Sequence, residues 1–313
     1  MNCTSSRLPF KALAALAIGL ALTLTAGAAI AARRAVDEHR AVDAEGQIEI
    51  NVVSGVVHVT GWEKAELGVT GSIGDNVEKL EITTAGNRTT LRVVQHENHI
   101  AHWDWGGKSG DAELVVHVPR ANSLSATLVS TDLYVADVQG NQEIHSVSGD
   151  LRIAASREVR LGTVSGDVHL TAGNDTKLIE VGTVSGDIQI AGGGGDVSLN
   201  TVSGDSVVSV GTVSRLRAKS VSGDFNLTAG LSADGRFEAE AVSGDVQITF
   251  NGSVPPAEFD VQSFSGDVTT CFGQKPVQEH YGPGSRLSYK EGAGTARVKV
   301  DTKSGDVSLC SKH

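Results

Sequence analysis

The chain has 313 residues, of which 40% are apolar but only 4% are aromatic. Its 39 Val and 37 Gly, against only 6 Pro, are typical of many short strands joined by turns and argue against a helical bundle. The 26 basic and 37 acidic residues give a net charge of −11, which argues against a nucleic-acid-binding protein because phosphate binding requires a basic face. The charged fraction of 20% and the apolar content argue against global disorder.

Residues 1–31 have the pattern of a secretory signal peptide. Arg7 and Lys11 begin an apolar run that ends in Ala29-Ile30-Ala31, an A-x-A cleavage pattern. The small residues at the end of the run favour cleavage. The alternative is an uncleaved anchor, because the 21 residues 12–32 could span a bilayer. We therefore expect an exported protein that is periplasmic, on the cell surface or secreted, with membrane contact only if this segment is retained.

A Ser-Gly-Asp triplet recurs along the rest of the chain. Its eight copies begin at Ser148, Ser165, Ser185, Ser203, Ser222, Ser243, Ser265 and Ser304. Successive copies are 17 to 22 residues apart, except for a final step of 39. Ser130-Thr131-Asp132 and Ser54-Gly55 have the form of degenerate copies. Fixed spacing of this kind indicates a structural repeat.

Apolar residues flank the triplet at fixed positions. The residues one and three positions after the Asp are mostly apolar and the residue between them is mostly polar, which is the period-two pattern of a strand. The residue four positions before the Ser is apolar, and a Val directly precedes the Ser in six copies. Because these two upstream positions differ in parity, we expect the chain to bend or bulge between them.

Each repeat is therefore predicted to be a strand, a corner, a second strand and a variable turn. Stacked repeats bury an apolar column that one repeat cannot bury alone; the column includes Leu151, Val168, Ile188, Phe225, Val246 and Val268. The predicted fold is all-β, a β-solenoid similar to a parallel β-helix, with coils of roughly 19 residues over 121–313. Residues 32–120 are predicted to form an irregular β cap or longer coils continuous with the rod. A β-sandwich is the alternative, although it would not need identical corners.

The corners, together with VVSGVVHVTGW (52–62) and AELVVHVPRANSL (112–124), resemble the bacterial family called putative adhesin, a domain of unknown function. The resemblance covers most of the chain after residue 31. It implies surface adhesion, and it supplies no catalytic residue that can be transferred to this sequence.

Two interpretations of the corner residues are open. In the favoured one the Gly supplies a positive φ or a close backbone approach, and the Ser and Asp side chains hydrogen-bond nearby amides. In the other, the carboxylates form a ladder that binds calcium, which requires six to eight oxygen ligands. The carboxylates concerned are Asp150, Asp167, Asp187, Asp205, Asp224, Asp245, Asp267 and Asp306. We expect no metal and no cofactor.

The segment QHENHIAHWDWGGKSGD is the second candidate for ligand contact. Its candidate residues are His96, His99, His102, Trp103 and Trp105. Exposed tryptophans can contact sugars or a protein partner, which we favour, whereas clustered histidines can bind zinc or copper. The structural alternative is a loop whose tryptophans cover the end of the cap.

Cys271 and Cys310 each lie six residues after the Ser of a corner. If the 39-residue step is one coil with an insertion, which we favour over two coils, the two cysteines lie side by side on neighbouring strands. An exported protein can then form a disulfide between them. We expect this bond to hold the last coil of the rod, which has no neighbour on one side. Two free packed thiols are the alternative.

The sequence lacks the G-x-S-x-G, H-E-x-x-H and P-loop patterns, and we expect that the protein is not an enzyme. The predicted function is an exported binding or structural module of the cell envelope, an adhesin in the sense of the resembling family, whose partner is a surface glycan or protein. One alternative is an envelope-stress or signalling accessory that binds a protein partner. The other is a polysaccharide-active β-helix enzyme.

Overall fold

The structure is a computed structural model, and it describes residues 33–96, 111–278 and 284–312. These residues form 23 β-strands and no α-helix, which confirms the all-β class predicted from the composition. None of them belongs to a helix with the length and apolarity that a membrane crossing requires. The predicted signal peptide, residues 1–31, lies outside the described residues.

The strands are named in chain order. Those of the N-terminal region are β1 (Arg34–Ala41), β2 (Gln47–Trp62), β3 (Glu66–Ile73), β4 (Val77–Ala85), β5 (Arg88–Gln95), β6 (Ala112–Pro119) and β7 (Ser123–Ala136). The central repeats contain β8 (Gln142–Ser148), β9 (Leu151–Ala155), β10 (Glu158–Ser165), β11 (Val168–Ala172), β12 (Leu178–Ser185), β13 (Ile188–Gly192), β14 (Gly195–Ser203), β15 (Ser206–Ser222), β16 (Phe225–Ser243) and β17 (Val246–Asn251). The C-terminal region contains β18 (Ala257–Ser263), β19 (Val268–Thr270), β20 (Val277–Gln278), β21 (Ser285–Lys290), β22 (Ala296–Ser304) and β23 (Val307–Lys312).

Parallel pairing stacks the repeats as coils of a β-solenoid-like fold. Before the corner, Leu161 of β10 lies opposite Ile144 on one side and Val181 on the other. After the corner, Val168 of β11 lies between Leu151 and Ile188. Side chains from successive coils meet in one continuous apolar core. All six residues of the predicted column are buried there, so that prediction is confirmed.

Glycine makes the close stacking of the corners possible. Gly186 has a φ of 141°, and a Cβ atom at this position would lie 2.3 Å from the carbonyl oxygen of Gly166 on the neighbouring coil. A side chain would therefore be strained by its backbone conformation and would also clash with the next coil.

The predicted bend or bulge before the corner is wrong. β10 continues to Ser165 without a shift in the register of its pairing with β12. Leu161 and Thr163 are buried, whereas Val164 is 47% exposed. The two upstream positions differ in parity because the Val before each corner faces solvent, and only the earlier apolar residue faces the core.

At the N-terminal end, β2 joins the stack and antiparallel strands continue from it. Ser54 of β2 lies opposite Ser130 of β7 in a parallel pair. On the other side of β2, its first half pairs with β5 and its second half with β6. β5 then pairs with β4, β6 with β3, and β3 with β1, all antiparallel. The region predicted as a cap or as irregular coils thus contains both a coil and flanking antiparallel strands.

At the C-terminal end, the order of the coils differs from their order in the chain. β22 pairs with β16 on one side and with β18 on the other. β23 likewise pairs with both β17 and β19. The expectation that the last coil has no neighbour on one side is therefore wrong. The insertion after β19 allows the chain to return along β21, which is antiparallel to β18, and to enter the stack between two earlier coils.

Candidate functional site

The corner aspartates form a continuous row along one edge of the stack. The Oδ1 atom of Asp187 accepts the backbone N–H of Asp205 at 2.9 Å, and that of Asp205 accepts the N–H of Asp224 at 2.8 Å. Eight such bonds connect Asp132, Asp150, Asp167, Asp187, Asp205, Asp224, Asp245, Asp306 and Asp267, in this spatial order. We call these nine residues the aspartate row. Its hydrogen bonds give the repeated Asp a structural role without a ligand.

Little positive charge lies beside the aspartate row. Among the described residues, only Asp150 of the row lies within 4 Å of a cationic group, the guanidinium of Arg152 at 3.6 Å. No three His, Cys, Asp or Glu side chains of the described ranges converge as metal ligands. The row is therefore a line of negative charge at the surface.

An exposed apolar row accompanies the aspartates. It consists of the residues that directly precede the corner serines, and we call it the valine ridge: Val53, Val129, Val147, Val164, Val184, Val202, Val221, Val242 and Phe264. The seven valines from Val129 to Val242 are 41–51% exposed, and Phe264 is 72% exposed. Lys303 occupies this position in the remaining coil.

A groove of about 860 Å³ lies beside the C-terminal part of the valine ridge. Its lining includes outward-facing residues of β15, β16, β18 and β22, and β21 contributes Arg286. Val221, Val242 and Phe264 form its apolar side. With Asn200 and Thr201 of β14, the groove thus combines residues from six strands between Asn200 and Lys303, and it includes the coil that enters the stack out of order.

Six of the seven charged side chains that line the groove form ion pairs, and Lys303 is the seventh. Lys219 Nζ lies 2.7 Å from Glu240 Oε2, and Lys299 Nζ lies 2.8 Å from Asp301 Oδ2. The hydrogen bond to Asp301, together with its negative charge, raises the pKa of Lys299. Arg286 pairs with Asp260 at 2.8 Å. Charges of both signs alternate along the groove, which is therefore polar without a large excess of either sign.

The predicted ligand-contact residues are only partly described. His96 follows β5, is exposed, and donates its backbone N–H to the Asn76 carbonyl at 3.1 Å. The other four candidates of that segment, His99, His102, Trp103 and Trp105, lie outside the described residues. This candidate site therefore stays a prediction.

Cys271 and Cys310 form a disulfide in the structure, with their Cα atoms 4.9 Å apart. Cys271 donates its backbone N–H to the Leu309 carbonyl at 2.9 Å, so the two cysteines lie on adjacent coils. The bond joins the coil of β19 to the inserted coil of β23.

The sequence prediction missed the valine ridge and the groove. The signal for the ridge is present, since Val precedes the Ser in six corners, but the expectation of a bend or bulge before the corner does not lead to an exposed apolar row. The groove had no local signal, because its residues come together only through the order of the C-terminal coils.

The fold and its repeated corners define a β-solenoid-like protein with Ser-Gly-Asp coils. Residues 46–310 match the model of the Toastrack DUF4097 family, and the chain belongs to this family. The match confirms the resemblance to putative adhesin domains of unknown function. A search of curated proteins found no match.

Several solved structures are similar over most of their length. A putative adhesin from Bacteroides fragilis is 10% identical, with 89% of this chain and 98% of that chain covered and a TM-score of 0.37. A putative lipid binding protein from Parabacteroides distasonis is 9% identical, with 89% and 97% covered and a TM-score of 0.38. A putative cell adhesion protein from Clostridium sporogenes is 10% identical, with 89% and 100% covered and a TM-score of 0.23. Likeness at these TM-scores shows nothing about what this chain binds.

Proposed function

We propose that this protein is an exported binding module of the cell envelope and that the groove beside Phe264 binds a surface glycan. The observation that carries the proposal is the groove itself, a polar concavity of about 860 Å³ with an exposed aromatic ring on its apolar side. Concave surfaces with a few placed polar groups are the usual form of ligand sites.

The chemistry of the groove fits a neutral, hydroxyl-rich polymer. Paired ammonium, guanidinium and carboxylate groups offer hydrogen-bond donors and acceptors side by side, which suits sugar hydroxyls. The ring of Phe264 offers an apolar face on which a sugar ring can stack. Because all of the charged groups except Lys303 are already paired, a ligand need not carry a large compensating charge.

We propose binding without catalysis. The carboxylates of Glu240, Asp260 and Asp301 each contact a cationic side chain. Glycosidases use two carboxyl groups, one of which must donate a proton to the leaving group. None of these three carboxyl groups is free of a partner for that task. The alternative of a polysaccharide-active enzyme predicts that the purified protein releases sugar fragments from an envelope polysaccharide.

Export remains part of the proposal and rests on the pattern of residues 1–31. Sequencing of the N-terminus of the protein recovered from cells tests it. An N-terminus near residue 32 supports cleavage, and an intact Met1 in a membrane fraction supports the anchored alternative.

Binding to cell-wall glycan fragments, measured by calorimetry, tests the groove. We expect Phe264→Ala and Arg286→Ala each to weaken binding about tenfold, through loss of stacking and of hydrogen bonds. Val277→Ala is the matched control, because Val277 is also 72% exposed but does not line the groove. A Trp103→Ala/Trp105→Ala variant separates the two candidate sites: if this variant alone abolishes binding, the ligand site is not the groove.

A further inference from the structure

Among the described residues, the valine ridge is an outward row of the corner edge that is apolar in nearly every coil. The row two positions before it, which also faces outward, consists of Asn51, Thr127, His145, Gly162, Gly182, Asn200, Lys219, Glu240, Asp301 and Gln262. Strand propensity explains a β-branched residue at an exposed position, but Thr would serve equally well. Strand propensity therefore does not explain why the valine ridge is apolar while the neighbouring outward row is polar.

The valine ridge is long enough to be an interaction surface. Its members come from coils about 4.8 Å apart, so the ten stacked corners span about 43 Å. Soluble proteins seldom leave an apolar surface of this length exposed unless it contacts a partner, and Lys303 interrupts the ridge only between Val242 and Phe264. Val53 and Phe264 lie at its two ends, in the coils of β2 and β18.

The negative charge of the aspartate row beside the ridge favours a positively charged partner. Each corner Asp follows the ridge residue by three positions, so the aspartate row runs beside the ridge at most about 11 Å away. Nine carboxylates with a single close cation among the described residues attract a positively charged surface. A second copy of this chain would bring a second aspartate row and a further net charge of −11, and an anionic membrane would repel the row.

From the ridge and the aspartate row together, we propose that this edge binds a basic amphipathic α-helix of a partner protein. A helix of about 29 residues spans the ridge, and its diameter of about 10–12 Å is enough to cover both rows. Its apolar stripe contacts the valines while Lys or Arg residues beside the stripe face the carboxylates. This proposal does not rest on glycan binding, although Val221, Val242 and Phe264 also line the groove.

The test uses the full chain as processed by the cells that express it. The substituted ridge residues are chosen outside the groove, so that glycan binding is not altered. The probe is a synthetic 29-residue helix of Leu and Lys with one apolar stripe, and its affinity is measured by fluorescence anisotropy. The variant Val147→Thr/Val164→Thr/Val184→Thr keeps β-branched side chains and therefore the strands. We expect it to bind at least about tenfold more weakly, as expected when central apolar contacts are lost. The control Val207→Thr changes a valine that is 46% exposed but lies after a corner, off the ridge.

The charge component is tested with Asp187→Asn/Asp205→Asn/Asp224→Asn. Asn keeps an oxygen that can accept the N–H of the next coil but removes three negative charges. We expect weaker binding and a reduced dependence on salt, because screening acts on the charge contribution.

Four outcomes would overturn the proposal. The first is equal binding of a peptide with the same composition but a scrambled stripe, and the second is equal binding of a Leu-Glu helix. The third is a wild-type chain that binds no helix but binds phosphatidylglycerol vesicles through the ridge. The fourth is a dimer in sedimentation experiments that the triple Val→Thr variant abolishes. The glycan affinity of that variant should be unchanged, so failure of this proposal is distinguishable from failure of the groove proposal.

Discussion

The backbone N–H of Asp306 donates to the Oδ1 atom of Asp245 at 2.8 Å, although the two residues are 61 positions apart. The Oδ1 atom of Asp306 accepts the N–H of Asp267, which precedes it by 39 positions. The last repeat of the chain therefore lies inside the stack, with a coil on each side. The coil of β18 and β19 gains this parallel neighbour only after the C-terminal residues have entered the stack.

We expect the amides of β22 to exchange slowly with solvent although the strand is close to the C-terminus. Chain termini usually fray, but β22 has parallel partners on both sides. Hydrogen-exchange mass spectrometry should show at least about tenfold slower exchange for residues 296–304 than for residues 285–290 of β21, which lies outside β18. Equal exchange in the two strands would place β22 at an edge and contradict the observed order.

The disulfide should stabilise the C-terminal coils. Peptide mapping without reductant should yield one linked peptide that contains Cys271 and Cys310. Reduction should lower the free energy of unfolding by about 3–4 kcal/mol, the chain-entropy value for a loop of this length. A Cys271→Ser/Cys310→Ser variant is the control and should not respond to reductant. Complete alkylation of both thiols in denaturant without reductant would show that the bond is absent.

The coils could be predicted from the sequence because burial and strand alternation are local properties. The residues one and three positions after each Asp specify which face is buried, so the stacking of Val168 on Leu151 and Ile188 follows from the pattern. The exposure of Val164 could not be predicted from its apolar character alone. In a strand, successive side chains point to opposite faces, so the alternation determines which face Val164 occupies.

The order of the C-terminal coils could not be predicted because the corners are nearly identical. The corner at Ser304 is chemically suited to pair with that of Ser243, Ser265 or any other copy, and local sequence does not rank these partners. The order depends on where the insertion after Cys271 returns the chain. The groove depends on the same order, and therefore no sequence motif marked Asp301 and Arg286 as neighbours of Phe264.

Loss of one carboxylate from the aspartate row should weaken the stack. Asp205→Ala removes the acceptor of the Asp224 N–H and should lower the free energy of unfolding by about 1 kcal/mol. Asp205→Asn keeps an acceptor oxygen and should retain most of that stability. Urea denaturation measures both. Identical losses for Ala and Asn would mean that the charge, rather than the hydrogen bond, supports the corner.

The corner glycines should tolerate no side chain. Gly186→Ala would place a Cβ atom 2.3 Å from a backbone oxygen at a φ of 141°, and we expect a loss of about 3 kcal/mol or more. Gly182→Ala is the control on the preceding strand, because the nearest atom would lie 3.9 Å away at an ordinary φ, and its effect should be small or stabilising. Similar melting temperatures for the two variants would argue against close stacking at the corner.

Ile188→Asp tests the buried column directly. Ile188 is 1% exposed and lies between Val168 and Ser206 of the adjacent coils, so an Asp there buries a charge with no cationic partner. We expect a loss of several kcal/mol. Gln189→Asp is the matched control: it adds the same charge to the next residue of β13, which is exposed, and should change stability by less than about 0.5 kcal/mol. Because each coil contacts mainly its two neighbours, exchange of the β11 and β15 amides should also accelerate in the Ile188 variant while β2 and β23 stay protected. A melting temperature that Ile188→Asp leaves at the wild-type value would mean that this column is not the core of the stack.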